Sequence, residues 1–337
     1  MNRQVLLASR PAGIPQLHHF TVVEAPVPEP GPGQVLVRAA YWSVEPAMRG
    51  WANDAPNYLP PVPIGSVMRS FAAGRVHRSN HPAYQPGDAV VGMFGWQEWA
   101  AVDASAIERR ADYGPTAGLP ISTALGVLGL NGLTAYFGLL DVGRPRAGDT
   151  VVVSTAAGSV GSAVGQIARI AGCRTVGITG GPAKAALCRD AFGYDAAIDY
   201  RSADLDAALA EACPAGVDVY FDNTAGSITD AVMRCLAPRA RVVVCGTASV
   251  PDWSVSPQGP RVERHVLVKR ATIGAILAFD YRDRYAEGIR RLAPWVRDGR
   301  LTYREDILEG VEHAPGAIAG LYAGENMGKR LIRVGPE

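Results

Sequence analysis

The first third of the chain alternates apolar and polar residues over short stretches that Gly and Pro separate. Residues 33–39 alternate in this way, and residues 74–77 and 87–93 show the same pattern. An alternation with period two predicts strands with one buried face, and the sequence Pro86-Gly87-Asp88 predicts a tight turn before the third strand. Residues 1 to about 120 are therefore expected to form a β-barrel rather than a helical bundle.

Beyond residue 120 the apolar residues form continuous runs, which alternate with segments of helical length. The predicted strands are 150–153, 174–178, 197–198, 217–221 and 241–245, and the predicted helices are about 160–171, 183–192 and 205–212. Continuous Val and Ile runs separated by helices are typical of a parallel sheet that is covered on both faces. This region is expected to be a doubly wound nucleotide-binding domain. The weakly polar stretch 119–140 before it is expected to be a buried helix.

The chain after residue 301 returns to mixed patterning and ends in the strand-like residues 330–334. We expect this tail to rejoin the first domain. The sequence therefore predicts an α/β protein of two domains. Residues 1–122 and 302–337 would form the β-barrel domain, and residues 123–301 would form the doubly wound parallel-sheet domain.

Composition and charge narrow the class of protein. The 337 residues include 33 Lys and Arg against 32 Asp and Glu, so the sequence offers no electrostatic footprint for nucleic acid or an anionic membrane. No run approaches the ~20 apolar residues of a membrane-spanning helix, and no signal peptide is recognisable. The five cysteines all lie within residues 173–245 and form no C-x-x-C pair, which indicates reduced thiols and a cytoplasmic location.

The segment 154–161, Ser-Thr-Ala-Ala-Gly-Ser-Val-Gly, joins a predicted strand to a predicted helix. Gly158 lets the backbone approach a phosphate without an intervening Cβ, and Gly161 lets the helix begin close to the sheet. The N–H groups of Ser159 and Val160 belong to the positive end of that helix, where a pyrophosphate can bind. The segment is a shortened form of G-x-G-x-x-G and predicts nucleotide binding, with a purely structural turn as the alternative.

The end of the second parallel strand indicates which nucleotide is bound. NAD-binding domains usually place Asp or Glu there, against the ribose 2′-hydroxyl, but this strand ends in the uncharged residues 177–181. Lys184 follows on the next helix, and Tyr200-Arg201 closes the third strand. The missing acid and the nearby cations favour a 2′-phosphate and hence NADP, although Lys184 could also be an ordinary exposed helix lysine.

Motifs along nearly the whole chain carry a resemblance to a known family. They are 45–50 (EPAMRG), 58–62 (YLPPV), 95–100 (GWQEWA), 132–136 (GLTAY), 157–162 (AGSVGS), 220–223 (YFDN), 303–306 (YRED) and 324–329 (GENMGK). With these motifs the chain resembles the zinc-free branch of the medium-chain dehydrogenase/reductase superfamily. Within that branch it is similar to the leukotriene B4 12-hydroxydehydrogenase/prostaglandin reductases, the plant alkenal double-bond reductases and the bacterial curcumin reductase-like proteins.

The resemblance implies a GroES-like β-barrel domain made from both chain ends, a Rossmann domain between them, NADPH in the interdomain cleft, and a homodimer. It also implies hydride transfer to the β-carbon of an α,β-unsaturated aldehyde or ketone. By motif position, Gly158 and Gly161 would meet the pyrophosphate, and Lys184 and Tyr200 the 2′-phosphate. The residues implied to line the rest of the cofactor are Asn223, Cys245, Gly246 and Asn326.

The sequence departs from the family pattern in two places. Ala47 stands where the family motif usually carries Tyr, so an aromatic residue of the pocket wall is missing. Residues 180–182, Gly-Gly-Pro, replace a turn that contains Ser, which removes one potential hydrogen bond to the 2′-phosphate. The first change leaves the range of substrates open, and the second weakens the preference for NADP without reversing it.

The first domain has few residues that could hold a catalytic zinc ion. Besides acids, its N-terminal segment, residues 1–122, offers only His18, His19, His77 and His81, and it contains no Cys. Without a Lewis acid, reduction of a ketone to an alcohol is disfavoured. Reduction of a conjugated C=C bond is easier, because hydrogen bonds can stabilise the resulting enolate.

The candidate donors to the substrate oxygen are Tyr281 and, second, Tyr58. An F-D-Y-like segment borders the pocket in the resembling family, although either Tyr could be a packing residue and water or the cofactor ribose could donate instead. Three tryptophans could line an apolar cleft or belong to the barrel core, and they are Trp51, Trp96 and Trp99. Two other functions stay open, an NADPH:quinone oxidoreductase of the neighbouring zinc-free branch and an NADPH-binding sensor without turnover.

Overall fold

The chain folds into two units in a computed structural model that describes residues 1–54, 57–112, 114–250, 255 and 257–337. The first unit consists of Met1–Gly126 and Glu305–Glu337. The second unit contains the described residues between Val127 and Arg304. No helix of the described chain is both long enough and apolar enough to cross a lipid bilayer.

The strands are β1 (Asn2–Leu7), β2 (Phe20–Ala25), β3 (Gln34–Ser43), β4 (Ala72–Ser79), β5 (Ala89–Gly92), β6 (Trp99–Asp103), β7 (Ile107–Arg110), β8 (Thr150–Ser154), β9 (Arg174–Thr179), β10 (Ala196–Asp199), β11 (Val217–Asp222), β12 (Leu236–Val244), β13 (Thr272–Ala275), β14 (Glu305–Glu309) and β15 (Lys329–Arg333). The α-helices are α1 (Ala47–Ala52), α2 (Leu130–Phe137), α3 (Ser159–Ile170), α4 (Pro182–Asp190), α5 (Leu205–Ala212), α6 (Gly226–Arg234), α7 (Glu263–Lys269), α8 (Tyr285–Arg297) and α9 (Ala314–Ala323).

The first unit is built on a mixed sheet with the strand order β14-β15-β3-β4-β5-β7, in which β6 also pairs with β3. The strands that alternation predicts at 33–39, 74–77 and 87–93 correspond to β3, β4 and β5. The C-terminal strand β15 runs antiparallel beside β3, with Leu331 opposite Ser43 and Arg333 opposite Tyr41. Both ends of the chain therefore contribute strands to one sheet.

A buried ion pair lies beside this sheet. Lys329 at the start of β15 donates hydrogen bonds to a Glu45 carboxylate oxygen at 2.7 Å and to the Val44 carbonyl oxygen at 3.0 Å. The Ser43 hydroxyl donates to the same carboxylate oxygen at 2.6 Å. Both charged side chains are 5% exposed, so their hydrogen bonds offset the cost of removing two charges from water.

The second unit contains a parallel sheet of six strands in the order β10-β9-β8-β11-β12-β13. The central residues Val151, Val152 and Val153 are 0% exposed, because helices connect successive strands and cover both faces. This order is that of a Rossmann fold, in which the strand sequence reverses beside the first strand. The predicted fold class is confirmed.

The buried helix predicted over 119–140 is divided into shorter segments in the structure. Residues Ile121–Leu125 form a 3₁₀-helix, α2 begins only at Leu130, and a π-helical segment, Gly138–Gly143, follows it. The glycines explain the break. Gly126 and Gly129 have φ values of −127° and −123°, which are not helical. The apolar composition of the stretch did predict its burial, because most residues of the two helical segments are buried.

Candidate functional site

The turn between β8 and α3 is the element for which the sequence predicts nucleotide binding. β8 ends at Ser154, and α3 begins at Ser159 after Gly158. Thr155 has a φ of 54°, in the left-handed region that non-glycine residues seldom adopt, so the chain reverses abruptly after the strand. Residues 158–160 are partly exposed, and no side chain caps the helix. The first N–H groups of α3 are therefore accessible at its positive end.

Glycines on α3 let the helix lie close to the sheet. A Cβ on Gly161 would be 2.9 Å from the Ala156 Cα and still closer to the Thr155 carbonyl oxygen. Gly165 leaves the space that the Tyr194 ring occupies, and the Tyr194 hydroxyl donates a 2.6 Å hydrogen bond to the Gly161 carbonyl oxygen. Tyr194 is 33 residues from Gly161, and no local signal in the sequence predicts its contact with α3.

The sheet reverses its strand order between β8 and β11, which is where doubly wound sheets bind their ligands. Asn223 follows β11 at this point and bonds to β8. Its side-chain amide donates to the Ser154 carbonyl oxygen at 2.7 Å, and its backbone N–H donates to the Ser154 hydroxyl at 2.8 Å. These two bonds position Asn223 at the crevice that the reversal creates.

Asp222 organises the turn that carries Asn223. Its buried carboxylate accepts hydrogen bonds from the backbone N–H groups of Thr224 and Ala225, both at 2.9 Å, and from the Thr229 hydroxyl at 2.6 Å. These donors hold the turn in which Ala225 has a φ of 62° and a ψ of −164°. Such a conformation costs a residue other than glycine on the order of 1–3 kcal/mol. Asp222 was not among the predicted site residues, although an acid at the end of an apolar strand is a signal in the sequence.

The loop after β12 lies beside the Asn223 turn. The backbone N–H groups of Cys245 and Gly246 donate to the Asp222 carbonyl oxygen at 2.8 and 3.1 Å. A Cβ on Gly246 would be 2.9 Å from the Asn223 carbonyl oxygen, so this approach requires glycine. Burial, and to a lesser extent the Asp222 carboxylate, raises the pKa of the Cys245 thiol to about 12, so the thiol stays protonated near neutral pH. Three of the predicted site residues are thus neighbours.

The residues predicted to bind a 2′-phosphate surround the turn after β9. Lys184 lies in the first turn of α4, and Tyr200 follows β10. A Cβ on Gly180 would be 3.1 Å from the Tyr200 ring and 2.9 Å from the Arg201 Nε, so both side chains lie against this glycine. The Arg201 guanidinium also lies 5.9 Å from the centre of the Tyr200 ring. The turn therefore has a cation on α4 and a second cation after β10.

Asp199 joins the two segments of this turn. Its carboxylate accepts hydrogen bonds from the backbone N–H groups of Gly181 at 2.7 Å and Arg201 at 3.1 Å. The bond from Gly181, followed by that from Arg201, holds the pKa of the Asp199 carboxyl below its usual value. Asp199 was not among the predicted site residues, because it follows the third strand and the expected position of an acid is the end of the second.

Two predicted site residues lie in the first unit. The buried Asn326 donates from its amide to the Gly328 carbonyl oxygen at 2.8 Å, which orders the turn before β15. Tyr58 is 46% exposed and follows Asn57, whose side chain accepts the Tyr58 N–H at 2.8 Å. The structure thus gives Asn326 a structural partner and leaves Tyr58 at the surface of its unit.

Tyr281, the first candidate donor, lies in the second unit. Its ring stacks on Phe137 with the ring centroids 4.7 Å apart, and the Arg284 guanidinium lies 5.8 Å from its centre. Among the residues that the structure describes, none forms a hydrogen bond with the Tyr281 hydroxyl. The ring is therefore held by packing while the hydroxyl is available, and its catalytic role stays a prediction.

The tryptophans divide between the core and the surface of the first unit. Trp51 and Trp96 are 0% exposed, as is Met48, so these side chains belong to the core. Trp99 is partly exposed, with the Arg38 guanidinium 5.2 Å from its ring and His77 against its edge. Of the two interpretations that the sequence left open for Trp51 and Trp96, the barrel core is correct.

Comparisons with known proteins match both units. A family model described as the N-terminal domain of oxidoreductase matches residues 3–109, and one described as zinc-binding dehydrogenase matches residues 159–293. The NADPH-dependent curcumin reductase of Escherichia coli is 43% identical over 99% of this chain and 97% of its own length. The 2-alkenal reductase (NADP⁺-dependent) of Nicotiana tabacum is 34% identical over 100% of this chain and 98% of its own.

A solved structure extends the comparison to the fold. CurA of Vibrio vulnificus in complex with NADPH superimposes with a TM-score of 0.93 and 40% identity, over 99% of this chain and 100% of that one. The second family description mentions zinc. Within the described residues, however, no group of three or more His, Cys, Asp or Glu side chains could hold a metal ion, so the donor set does not fit one.

Proposed function

Because the chain belongs to the zinc-independent branch of the medium-chain dehydrogenase/reductase superfamily, we propose that it uses NADPH to reduce the C=C bond of α,β-unsaturated aldehydes and ketones. The observation that carries the proposal is the 43% identity to an NADPH-dependent curcumin reductase over 99% of this chain. The tobacco relative that is named for 2-alkenal reduction matches along the full chain and supports the same chemistry.

The residues at the switch point of the parallel sheet fit a dinucleotide. The pyrophosphate would bind to the uncapped N–H groups of Ser159 and Val160 at the start of α3. Gly161 allows this end of the helix to lie close to the backbone of Thr155 and Ala156. Asn223, Cys245 and Gly246 would line the crevice nearer the reacting end, and the cofactor role of Asn326 stays a prediction from its motif. At the other end, Lys184 and Tyr200 would bind the 2′-phosphate.

NADPH, when bound, supplies the hydride for the β-carbon of the substrate. The protein must then hold the substrate carbonyl, whose oxygen gains negative charge as an enolate forms, and a proton must reach the α-carbon. A hydrogen-bond donor that already points at that oxygen stabilises the charge. We propose Tyr281 for this role, since its ring is held by Phe137 and its hydroxyl has no partner among the described residues. Tyr58 and water are the alternatives.

Parallel assays test the proposal against the quinone alternative. The protein would be mixed with NADPH or NADH and with an alkenal, an aryl enone or a benzoquinone, and the loss of the reduced cofactor would be followed by absorbance. We expect rapid oxidation with the alkenal and the enone, a preference for NADPH, and a saturated carbonyl product by mass spectrometry. Turnover with the quinone alone would make the protein a quinone oxidoreductase. Binding of NADPH without any turnover would make it a sensor.

Tyr281→Phe tests the proposed donor within the same assay. Positioned proton donors contribute roughly 10²–10⁴-fold to rate, so kcat on the aryl enone should fall by about 100-fold or more while the KM for NADPH changes little. Tyr84→Phe is the control, since Tyr84 packs against His81 in the first unit. A Tyr281→Phe variant with full kcat would assign the donor role elsewhere.

The homodimer and the cytoplasmic location are also part of the proposal. Among the described strands, β13 has no partner on its outer edge, and its Ile273 is 44% exposed. Leu267 and Val268 on the preceding helix are 78% and 54% exposed. An edge strand with apolar neighbours can pair with a second copy of the chain. Sedimentation should therefore show a dimer that Ile273→Lys dissociates. The five free thiols support a reducing compartment.

A further inference from the structure

The turn after β9 offers an anion fewer backbone donors than its length suggests. The Gly181 N–H donates a 2.7 Å hydrogen bond to an Asp199 carboxylate oxygen, and the next residue, Pro182, has no N–H. Gly181 has a φ of 91°, so this bond holds a conformation that glycine adopts without strain. Neither residue can therefore offer its N–H to a 2′-phosphate, and side chains around the turn have to supply more of the binding.

Two of these side chains converge above Gly180. A Cβ on Gly180 would be 2.9 Å from the Arg201 Nε and 3.2 Å from the Tyr200 hydroxyl oxygen. Arg201 is exposed, and it belongs to none of the ion pairs in the described part of the chain. A guanidinium has five N–H donors in a planar fork that matches two phosphate oxygens. Arg201 can therefore bind a phosphate without giving up a partner within the protein.

Asp199 holds Arg201 in this place. Its Oδ1, which accepts the Gly181 N–H, also accepts the Arg201 N–H at 3.1 Å, and its Oδ2 accepts the Ser202 hydroxyl at 3.0 Å. These donors offset the negative charge of the carboxylate, which would otherwise repel a phosphate. The bond to the Arg201 N–H also fixes the backbone from which the guanidinium reaches Gly180.

We propose that Arg201 is a ligand of the 2′-phosphate that contributes to the preference for NADPH over NADH, and that Asp199 is the positioning residue that holds Arg201 at the turn. The guanidinium would bind two phosphate oxygens beside the Tyr200 hydroxyl. All of these residues lie in the second unit. The inference rests on the proposed function for the binding of the 2′-phosphate at this turn, and it adds a cation to the predicted Lys184.

Two nucleotides that differ only in the 2′-phosphate test the role of Arg201. Calorimetry, which needs no turnover, would measure the binding of adenosine 2′,5′-bisphosphate and of adenosine 5′-monophosphate to the wild type, Arg201→Leu and Arg201→Lys. The wild type should bind the bisphosphate more tightly. Arg201→Leu should weaken that binding by roughly 10-fold to 100-fold, as expected for a lost hydrogen bond to a charged group, and leave the affinity for the monophosphate within about twofold. Arg201→Lys should lie between, because it keeps the charge but loses the fork.

Two variants of Asp199 separate the position of the acceptor from its charge. One amide oxygen can accept both of the backbone N–H groups that Oδ1 accepts, so Asp199→Asn should bind the bisphosphate at least as tightly as the wild type. Asp199→Ala removes the acceptor and should weaken this binding, by no more than Arg201→Leu does. In the double variant the effects of Asp199→Ala and Arg201→Leu should be less than additive, because Asp199 acts through Arg201.

Arg189→Leu is the control variant. Arg189 is an exposed arginine in the last turn of α4, at the other end of that helix from Lys184. The variant removes the same charge and should leave the affinities for both nucleotides unchanged. Wild-type affinity for the bisphosphate in Arg201→Leu, or an equal loss for the two nucleotides, would overturn the role of Arg201. A loss in Asp199→Asn as large as that in Asp199→Ala would overturn the positioning role of Asp199.

The same data separate this inference from the proposed function. If the wild type binds the bisphosphate no more tightly than the monophosphate, the 2′-phosphate site at this turn is wrong, and the inference is wrong with it. If the wild type distinguishes the two nucleotides but reduces no enone, only the proposed activity is wrong. A selective loss of bisphosphate binding in Arg201→Leu would then still establish Arg201 as a ligand of the 2′-phosphate.

Discussion

Replacing Gly161 by alanine tests whether the close approach of α3 to the sheet creates the nucleotide site. The added Cβ would be 2.9 Å from the Ala156 Cα and closer still to the Thr155 carbonyl oxygen, whereas ordinary contact begins at 3.4 Å. Both neighbours are backbone atoms, so no side chain can rotate away. The start of the helix has to move by roughly 1 Å, because a native core holds no spare room.

The size of the effect follows from that displacement. Overpacking of this kind costs about 1–3 kcal/mol, and alanine returns about 1 kcal/mol through its higher helix propensity. We therefore expect a net loss of unfolding free energy of at most about 2 kcal/mol. The N–H groups of Ser159 and Val160 move with the helix. Losing one hydrogen bond to a charged phosphate would weaken NADPH binding by roughly 10-fold to 100-fold.

Fluorescence titration with NADPH and thermal unfolding would be measured on Gly161→Ala and on Gly316→Ala. Gly316 lies in α9, and a Cβ there would meet no atom within 4 Å. This control should keep the affinity for NADPH and gain up to about 1 kcal/mol of stability. A folded Gly161→Ala protein that binds NADPH as tightly as the wild type would refute the reasoning.

Three further variants test the site and the core. Lys184→Ala should raise the KM for NADPH about 10-fold and leave that for NADH within about twofold; equal effects would remove the 2′-phosphate role of this lysine. Lys329→Met should lower the unfolding free energy by about 3–5 kcal/mol, because the buried Glu45 carboxylate would lose the ammonium group that neutralises it. Adding Glu45→Gln should restore most of this loss, as measured by chemical denaturation. No recovery would contradict that explanation. Burial raises the pKa of the Cys188 thiol to about 12, above the ~8.5 of an unfolded thiol, so the unfolded state releases this proton first as the pH rises. The stability of the wild type relative to Cys188→Ala should then fall by up to about 1.4 kcal/mol per pH unit above about pH 9, and a constant difference between the two proteins would contradict the shift.

Much of the candidate site was readable from the sequence because its signals are local. Gly158 and Gly161 follow a continuous apolar strand, and Lys184 follows a strand end that lacks an acid. The residues that hold these parts in place were not found in this way. Tyr194 and Asp199 act on backbone groups of other segments, and their own neighbours in sequence do not reveal those partners.

The sequence by itself determined the two kinds of sheet and the glycine turn, because residue periodicity and backbone freedom are properties of neighbouring residues. It could not decide whether Trp51 and Trp96 line a cleft or fill a core, since burial depends on which strands pack around them. Nor could it show that Lys329 and Glu45 form a buried ion pair. Tertiary structure decided these points, because burial and charge pairing depend on residues that are distant in sequence and adjacent only after folding.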